Sequence, residues 1–443
     1  MTQSTLPRRT FVSCLAALGT SLVAAPALAL DPTGFGLEPN SSADQSAALQ
    51  AVIDAAAPGG EPLQLPAGTY HVSGLTLPSN LSLRGVPGAT ILVANAEGPI
   101  FVGDGVNDVV LEDLVLDGSN FPPAEGEGAL IEFRSSDRVH LTRVQVKGSS
   151  LHGIGFQDSA ANVTDCDISG AAYAGLFSID SHGLVISANR VSDCGNGGIL
   201  IWRSESGRDG SIISGNQITR IDWRGGGNGQ NGNGINIFRA DEVIIADNHI
   251  SDCGFTAVRL NSTNNTQVRG NSCFNSGEVA IFSEFAFSGS IISDNIIDGA
   301  ATGISITNFD QGGRLAVCSG NLVRNIAPRS LVNPDTIPIG IYAEAETLLS
   351  DNVVEAVPGV GVAAGFGPYL RNVAISGNLV YGCRIGIGVS VVEDAGAVRI
   401  AGNLVSGSTE AALAGLAWSE IVSPDLTATS HANVTLEANS VVA

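Results

Sequence analysis

Lysine is almost missing from this chain of 443 residues; Lys147 is the single one, and arginine supplies the rest of the 21 basic residues. Against them stand 43 acidic residues, for a net charge of −22. Setting aside Arg8 and Arg9, which fall in an expected export leader, leaves 19 basic against 43 acidic residues, or −24. Such a field repels nucleic acid and anionic membrane, so neither is an expected partner. Aromatic residues make up only 5% of the chain while aliphatic content is ample, with 44% hydrophobic residues and 55 glycines. Those proportions favour thin coils with many turns over one thick core. No Cys-x-x-Cys pair occurs among the seven cysteines, so the spacing of a structural zinc site is absent. Beyond the leader no apolar run approaches the length of a membrane span.

What the chain has in abundance is a tetrapeptide. Ile213-Ser214-Gly215-Asn216 and Ile375-Ser376-Gly377-Asn378 are two copies, and variants end at Asn189, Asn248, Asn271, Asn295, Asn321, Asn352, Asn403 and Asn439. Successive asparagines are separated by 27, 32, 23, 24, 26, 31, 26, 25 and 36 residues. A recurring unit of this size is the mark of a solenoid. After each asparagine a short strand follows, as in Gly198-Ile199-Leu200-Ile201 and Gly303-Ile304-Ser305-Ile306. Its period of two sends Ile199, Ile201, Ile235, Ile237, Ile304 and Ile306 inward. Each unit is too small to bury that face alone and must stack on its neighbours. Identical asparagines one rung apart, roughly 4.8 Å, can pass amide hydrogen bonds along a ladder. The expected fold is an all-β, right-handed parallel β-helix of roughly 22–32-residue coils with an N-terminal capping helix.

Three segments are expected: a leader at 1–29, a cap with the first coils at 30–95, and repeats from 96 to 443. Arg8-Arg9-Thr10-Phe11-Val12, an apolar run from Cys14 to Ala25 and Ala27-Leu28-Ala29 form a twin-arginine signal. They imply passage through the twin-arginine export machinery to the periplasm or beyond, with a mature chain starting near Leu30. Cysteines 194, 253 and 383 each fall five residues after a ladder asparagine, and Cys166 stands where an asparagine would. Disulfides or a metal would explain that; stacked small hydrophobes explain it more simply, so no metal is assigned. Ser42-Ala43-Asp44-Gln45 reads as a capping box ahead of one amphipathic helix that ends before Pro58-Gly59-Gly60.

The helix, Leu63-Gln64-Leu65-Pro66-Ala67-Gly68-Thr69-Tyr70 and Leu81-Ser82-Leu83-Arg84-Gly85 resemble the N-terminal module of the pectate-lyase-like β-helix superfamily over about 31–95. There the helix plugs the open first coil, an edge that would otherwise be sticky. With the signal and the asparagine repeats, nearly the whole chain is also similar to a family of twin-arginine-translocated repetitive β-helix proteins, whose activity is undefined. The first resemblance implies a carbohydrate-active enzyme, but the motifs of such enzymes are missing. There is no Asp-Asp pair and no Arg-x-Lys of the polygalacturonase kind, no Asp-Pro-His-Asp of alginate epimerases, and no acidic triplet for a calcium-dependent lyase.

Two coils carry insertions, Trp223–Asn233 and Pro328–Asp335, each between the ladder asparagine and the next strand. They are expected on one edge, four rungs or roughly 19 Å apart, walling a cleft. Aligning the strands gives two outward columns: Phe177, Leu200, Asn236, Arg259, Phe282, Ser305, Tyr342, and Ile179, Trp202, Phe238, Asn261, Glu284, Thr307, Glu344. Aromatics beside polar groups on a flat sheet suit a polysaccharide, with Trp202, Asn236, Phe238 and Phe282 as binding residues. If catalysis occurs, Arg259 would neutralise a substrate carboxylate or polarise a hydroxyl, and Glu284 would be the acid or base; a salt bridge between them is the rival reading. Glu284 and Glu344 are candidates for an inverting pair, though three rungs apart. His152 is a candidate base or, more simply, a turn residue. Seven arginines between 203 and 269 balance seven carboxylates, a neutral zone that would admit a uronate unless they pair on the surface. The expectation is an exported protein that binds a polysaccharide and cleaves or epimerises it, or else a non-catalytic carbohydrate-binding or envelope scaffold; the sequence specifies no cofactor.

Overall fold

The structure, a computed structural model, describes residues 32–59, 62–122, 128–227 and 229–442. The expected leader at 1–29 lies outside the described residues. The chain winds through three sheets of fifteen strands, each sheet taking every third strand. The first runs from Leu63–Gln64 to Val434–Glu437, the second from Gly68–Val72 to Ser440–Val442, and the third from Leu75–Thr76 to Glu420–Ser423. Among the described residues the strands pair in parallel except at a closing hairpin, where Ala411–Ala417 meets Glu420–Ser423 antiparallel, and one isolated antiparallel bridge joins Phe366 and Tyr369. This is a parallel β-helix.

The interior is built as the period of two requires. Ile199, Ile235, Val258, Ile281, Ile304, Ile341, Val362 and Ile387 stand in one register and are all fully buried. The helix Ser46–Ala56 buries Leu49, Val52, Ile53 and Ala56 at the first coil, covering the end of the core. Its cap differs from the expected box. Asp44 accepts from the backbone N–H and hydroxyl of Ser46, while the Gln45 side chain turns back to accept from the N–H of Glu38. The helix thus begins three residues later than a Ser42 cap would place it, with Gln45 at the cap position and Asp44 holding the N–H of the first helical residue.

The asparagines form one unbroken ladder from Asn189 to Asn439. In each step the side-chain Nδ2 and the backbone N–H both donate to the Oδ1 of the next asparagine, at 2.9–3.0 Å for Asn216 to Asn248 to Asn271. The second Nδ2 proton goes to a carbonyl of the preceding coil, such as Ile186 from Asn216. Each interior amide, from Asn216 to Asn403, is therefore saturated, which burial demands. Cys166 closes the series as its position implied: its N–H donates to Asn189 Oδ1 and it has no amide to continue. A serine series at another corner begins in the earlier coils and overlaps the start of the ladder, with the N–H of Val106 donating to Ser136, Ser136 to Ser159 and Ser159 to Ser181.

The residue before each asparagine explains the rest of the motif. Gly215, Asp247, Gly270, Asp294, Gly320, Asp351, Gly377 and Gly402 all have φ between +56° and +69°. That left-handed turn is open to glycine and tolerated by aspartate, but costs alanine more. Ala188 and Ala438 nevertheless adopt it, at φ +57° and +49°.

All six described cysteines are free and buried. Cys194, Cys253 and Cys383 each point the thiol at the carbonyl two residues earlier, as stacked small hydrophobes do. Burial pushes the Cys194 and Cys318 thiols up to about 12, which leaves them inert. Among the described residues no helix is long and apolar enough to cross a membrane.

Candidate functional site

The third sheet presents its outer face as the two outward columns read from the sequence. Phe177, Leu200, Asn236, Arg259, Phe282, Ser305 and Tyr342 pair in that order. Two residues further on, Ile179, Trp202, Phe238, Asn261 and Glu284 do the same. The N-terminal part of this face is closed: Phe177 and Leu200 are buried beneath Tyr173 and Trp202. His152 lies there too, buried in the strand His152–Gln157 and stacked on Phe177 at 4.6 Å. It is a core residue, not a turn residue, and burial holds its imidazole down at about 3. Such a ring stays neutral and is a poor base.

Both insertions lean toward the N-terminus instead of standing upright. In the first, Asn231 accepts a hydrogen bond from the Tyr173 hydroxyl two rungs back, and Gly225 donates to Asn196. In the second, Ser330 donates to the carbonyl of Gly277 and Asn333 to Glu278, again two rungs back. The expected single cleft, four rungs wide, is therefore divided. Loops lean this way because their polar backbone groups need partners, which the neighbouring coils supply.

The partition is an ion triad. Arg259 donates from Nε and Nη2 to both oxygens of Glu284, at 2.7 and 2.9 Å, and from Nη1 to Glu278 at 3.1 Å. Arg259 is 7% exposed and each glutamate 2%. Asn261 adds a further donor to Glu284, Thr256 one to Glu278, and the guanidinium lies 5.0 Å over the ring of Phe282. Gly229 of the first loop presses on the guanidinium; a Cβ there would fall 1.9 Å from Nη1. The triad thus joins the two loops, one through Gly229 and one through Asn333. Its fork–fork geometry is what makes a buried pair tolerable. Arg259 and Glu284 come together as the salt bridge that rivalled catalysis, with the arginine's donors directed at protein carboxylates.

A groove of 400 Å³ lies on the N-terminal side of the triad, between Trp202, Asn236, Phe238, Gln230 and Phe285. The Trp202 indole donates to Asn236 at 3.1 Å and packs edge-on to Phe238. Five of the six expected site residues line it, and Phe282 faces the other way. A second groove of 440 Å³ lies on the C-terminal side, between Phe282, Tyr342, Glu344, Ile337, Phe366 and Trp418. There the Tyr342 hydroxyl donates to Glu344 at 2.6 Å, and the Phe309 N–H donates to the other carboxylate oxygen at 2.7 Å. Burial raises both groups, Glu344 above the usual carboxylate range and Tyr342 well above 10. Glu284 and Glu344 stand two rungs apart, through Thr307, not three. Phe285 and Trp418, bulky residues at the groove walls, both hold left-handed backbone at φ +58°, the turn conformation that recurs along the coils.

Tyr342 was visible in the first column and Glu344 in the second; Trp418 was not, since its hairpin belongs to no repeat. Of the seven arginines in that zone, three form surface pairs, Arg208–Glu242, Arg220–Asp193 and Arg224–Asp222, and Arg259 forms the buried triad.

A family model described as the right handed beta helix region matches residues 127–229 and 152–312. The chain is a right-handed parallel β-helix. Mannuronan C5-epimerase AlgE3 of Azotobacter vinelandii is 32% identical over 154 residues, which cover 29% of this chain and 8% of that protein. Among solved β-helices, the N-terminal fragment of bacteriophage Phi29 gene product 12 superposes with a TM-score of 0.59 at 15% identity, covering 93% of this chain and 70% of that one. The catalytic unit of a GH87 α-1,3-glucanase from Streptomyces thermodiastaticus gives 0.51 at 16% identity, over 94% and 69%. At these identities the superpositions speak for the β-helix alone.

Proposed function

We propose that this protein is an exported polysaccharide-binding β-helix. The observation that carries the reading is the pair of aromatic-walled grooves in line on one face of the third sheet. Sugar rings present apolar faces that stack on indole and phenyl rings, with hydroxyls left for polar groups beside them. Trp202, Phe238 and Asn236 supply that mixture in the first groove, and Trp418, Phe366 and Tyr342 in the second. The partial likeness to a mannuronan epimerase agrees with the substrate class. In this reading Arg259 and Glu284 position the loops and do not contact the reacting atoms. The non-catalytic scaffold is the second reading, favoured at the first groove by the closed ion triad.

The test is affinity for a glycan panel with Trp202→Ala and Trp418→Ala. Binding weakened tenfold or more without a shifted melt supports the grooves; unchanged binding by both variants refutes them. Export rests on Arg8 and Arg9. Replacing both by lysine should hold the precursor in the cytoplasm, and unaltered export would refute the route.

A further inference from the structure

We propose that Tyr342 and Glu344 are a proton-donating pair that cleaves glycosidic bonds of a neutral polysaccharide in the second groove, an inference that rests on the glycan-binding reading. The pair is held in place from both sides. Glu344 cannot swing away, because the Phe309 N–H fixes one oxygen while the Tyr342 hydroxyl occupies the other. Both members line the groove, with Tyr342 the more exposed of the two, half-buried on the outward column in the groove that Phe366 and Trp418 also wall.

The direction of proton flow follows from burial. Both groups hold their protons more tightly than in water. A raised phenol alone is a weak acid, so Tyr342 acts as a relay: its proton passes to the departing oxygen as the buried carboxyl of Glu344 supplies another to Oη. With the proton on Glu344, its O–H donates to Tyr342 Oη, and the phenol O–H is free to face the groove. The glycosidic oxygen takes the phenol proton as its bond to the anomeric carbon breaks, the electron pair leaving on that oxygen. Glu344 reprotonates Oη. A water adds to the anomeric carbon and loses its proton to solvent. The net change is one water consumed and one bond cleaved, with the proton returned through solvent.

Charge selects the polymer. Glu278, Asp335 and Glu344 line the groove against one cation, Arg384, which is itself paired with Glu410 at 2.5 Å. The guanidinium of Arg259, next door, is committed to Glu278 and Glu284. A uronate would meet carboxylates without an available counter-charge, whereas a neutral sugar pays no such penalty.

The experiment uses the full-length protein with α-1,3-glucan, dextran, xylan, alginate and polygalacturonate, reading binding, reducing ends and unsaturated products. A neutral polymer should release reducing ends. Tyr342→Phe and Glu344→Gln should each slow that release by about 100-fold or more at saturating polymer. Tyr342→Phe keeps the ring, so it decides the matter even where Glu344→Gln fails to fold. A parent-like rate in Tyr342→Phe overturns the pair. Binding of a neutral polymer without new reducing ends overturns catalysis and leaves glycan binding standing. Unsaturated products from alginate or polygalacturonate overturn the substrate class, and no binding to any polymer overturns the glycan reading itself.

Discussion

Replacing Asn271 by alanine tests the ladder at its most buried point. Asn271 is fully buried, and its amide makes four hydrogen bonds between coils. Its Oδ1 accepts from the N–H and the Nδ2 of Asn248 at 3.0 and 2.9 Å. Its Nδ2 donates to Asn295 Oδ1 at 3.0 Å and to the carbonyl of Ile245 at 3.1 Å. Alanine removes all four and strands the Asn248 backbone N–H in a site that water does not reach. At a net ~1 kcal/mol per bond the loss is about 4 kcal/mol, reduced if the coil shifts to re-pair that N–H. Asn295 is less affected, since its Oδ1 still accepts from the backbone of residue 271. The control is Asn439→Ala at the end of the ladder, where the amide is partly exposed and water can replace the lost partners. That variant should lose about 1 kcal/mol or less. Urea denaturation followed by circular dichroism reads both, with the midpoint of the transition spanning Asn271 as the measure. Equal losses for the two variants, or no loss for Asn271→Ala, would refute the buried, saturated ladder.

Ala188→Gly should stabilise the fold by about 0.5–1 kcal/mol, because glycine relieves the left-handed strain at φ +57° at a smaller entropic cost; a lowered urea midpoint would contradict this. Arg259→Ala should cost about 3–5 kcal/mol at neutral pH by leaving two buried carboxylates without a counter-charge. Burial already raises Glu284, so the deficit should shrink as pH falls and the carboxylates protonate; a deficit independent of pH would count against the triad. For His152 the folded value, about 3, lies below the ordinary 6.5, so its contribution is complete above pH 6.5 and fades as pH falls toward 3. His152→Phe should preserve the stack on Phe177 and flatten stability against pH in that window, as thermal melts at stepped pH would show.

The coil architecture was legible because its signals repeat. Ten asparagines at similar spacing fix the rung length, and the period of two after each fixes which isoleucines turn inward. The register of Asn236, Arg259 and Phe282 followed from the same alignment. Features that occur once were harder. Nothing in Trp223–Asn233 states that the loop bends two rungs back to Tyr173, since that depends on which neighbouring backbone groups lack partners. The third member of the triad, Glu278, precedes its strand and so stood outside both outward columns. Trp418 sits on a hairpin that no repeat aligns. The cap was misplaced because Ser42 and Asp44 are both competent acceptors and only the path of the chain chooses between them. Aromatic columns therefore pointed to the face that carries both grooves, while the division of that face in two came from interactions that no spacing encodes.

The ladder also makes the molecule mechanically polar. From Asn189 to Asn403 each asparagine gives its backbone N–H and one Nδ2 proton to the Oδ1 of the next, while the other Nδ2 proton goes back to a carbonyl of the preceding coil, so the asparagine-to-asparagine bonds all point one way and each coil is gripped by the one that follows it. A pull on the C-terminus therefore loads one rung at a time, as in unzipping, and each release frees a length of chain set by one coil. In an optical trap the trace should be a staircase of similar steps down to Cys166, where the amide cable stops. Beyond it the serine-linked coils are anchored differently, and the tension at which they yield should change there.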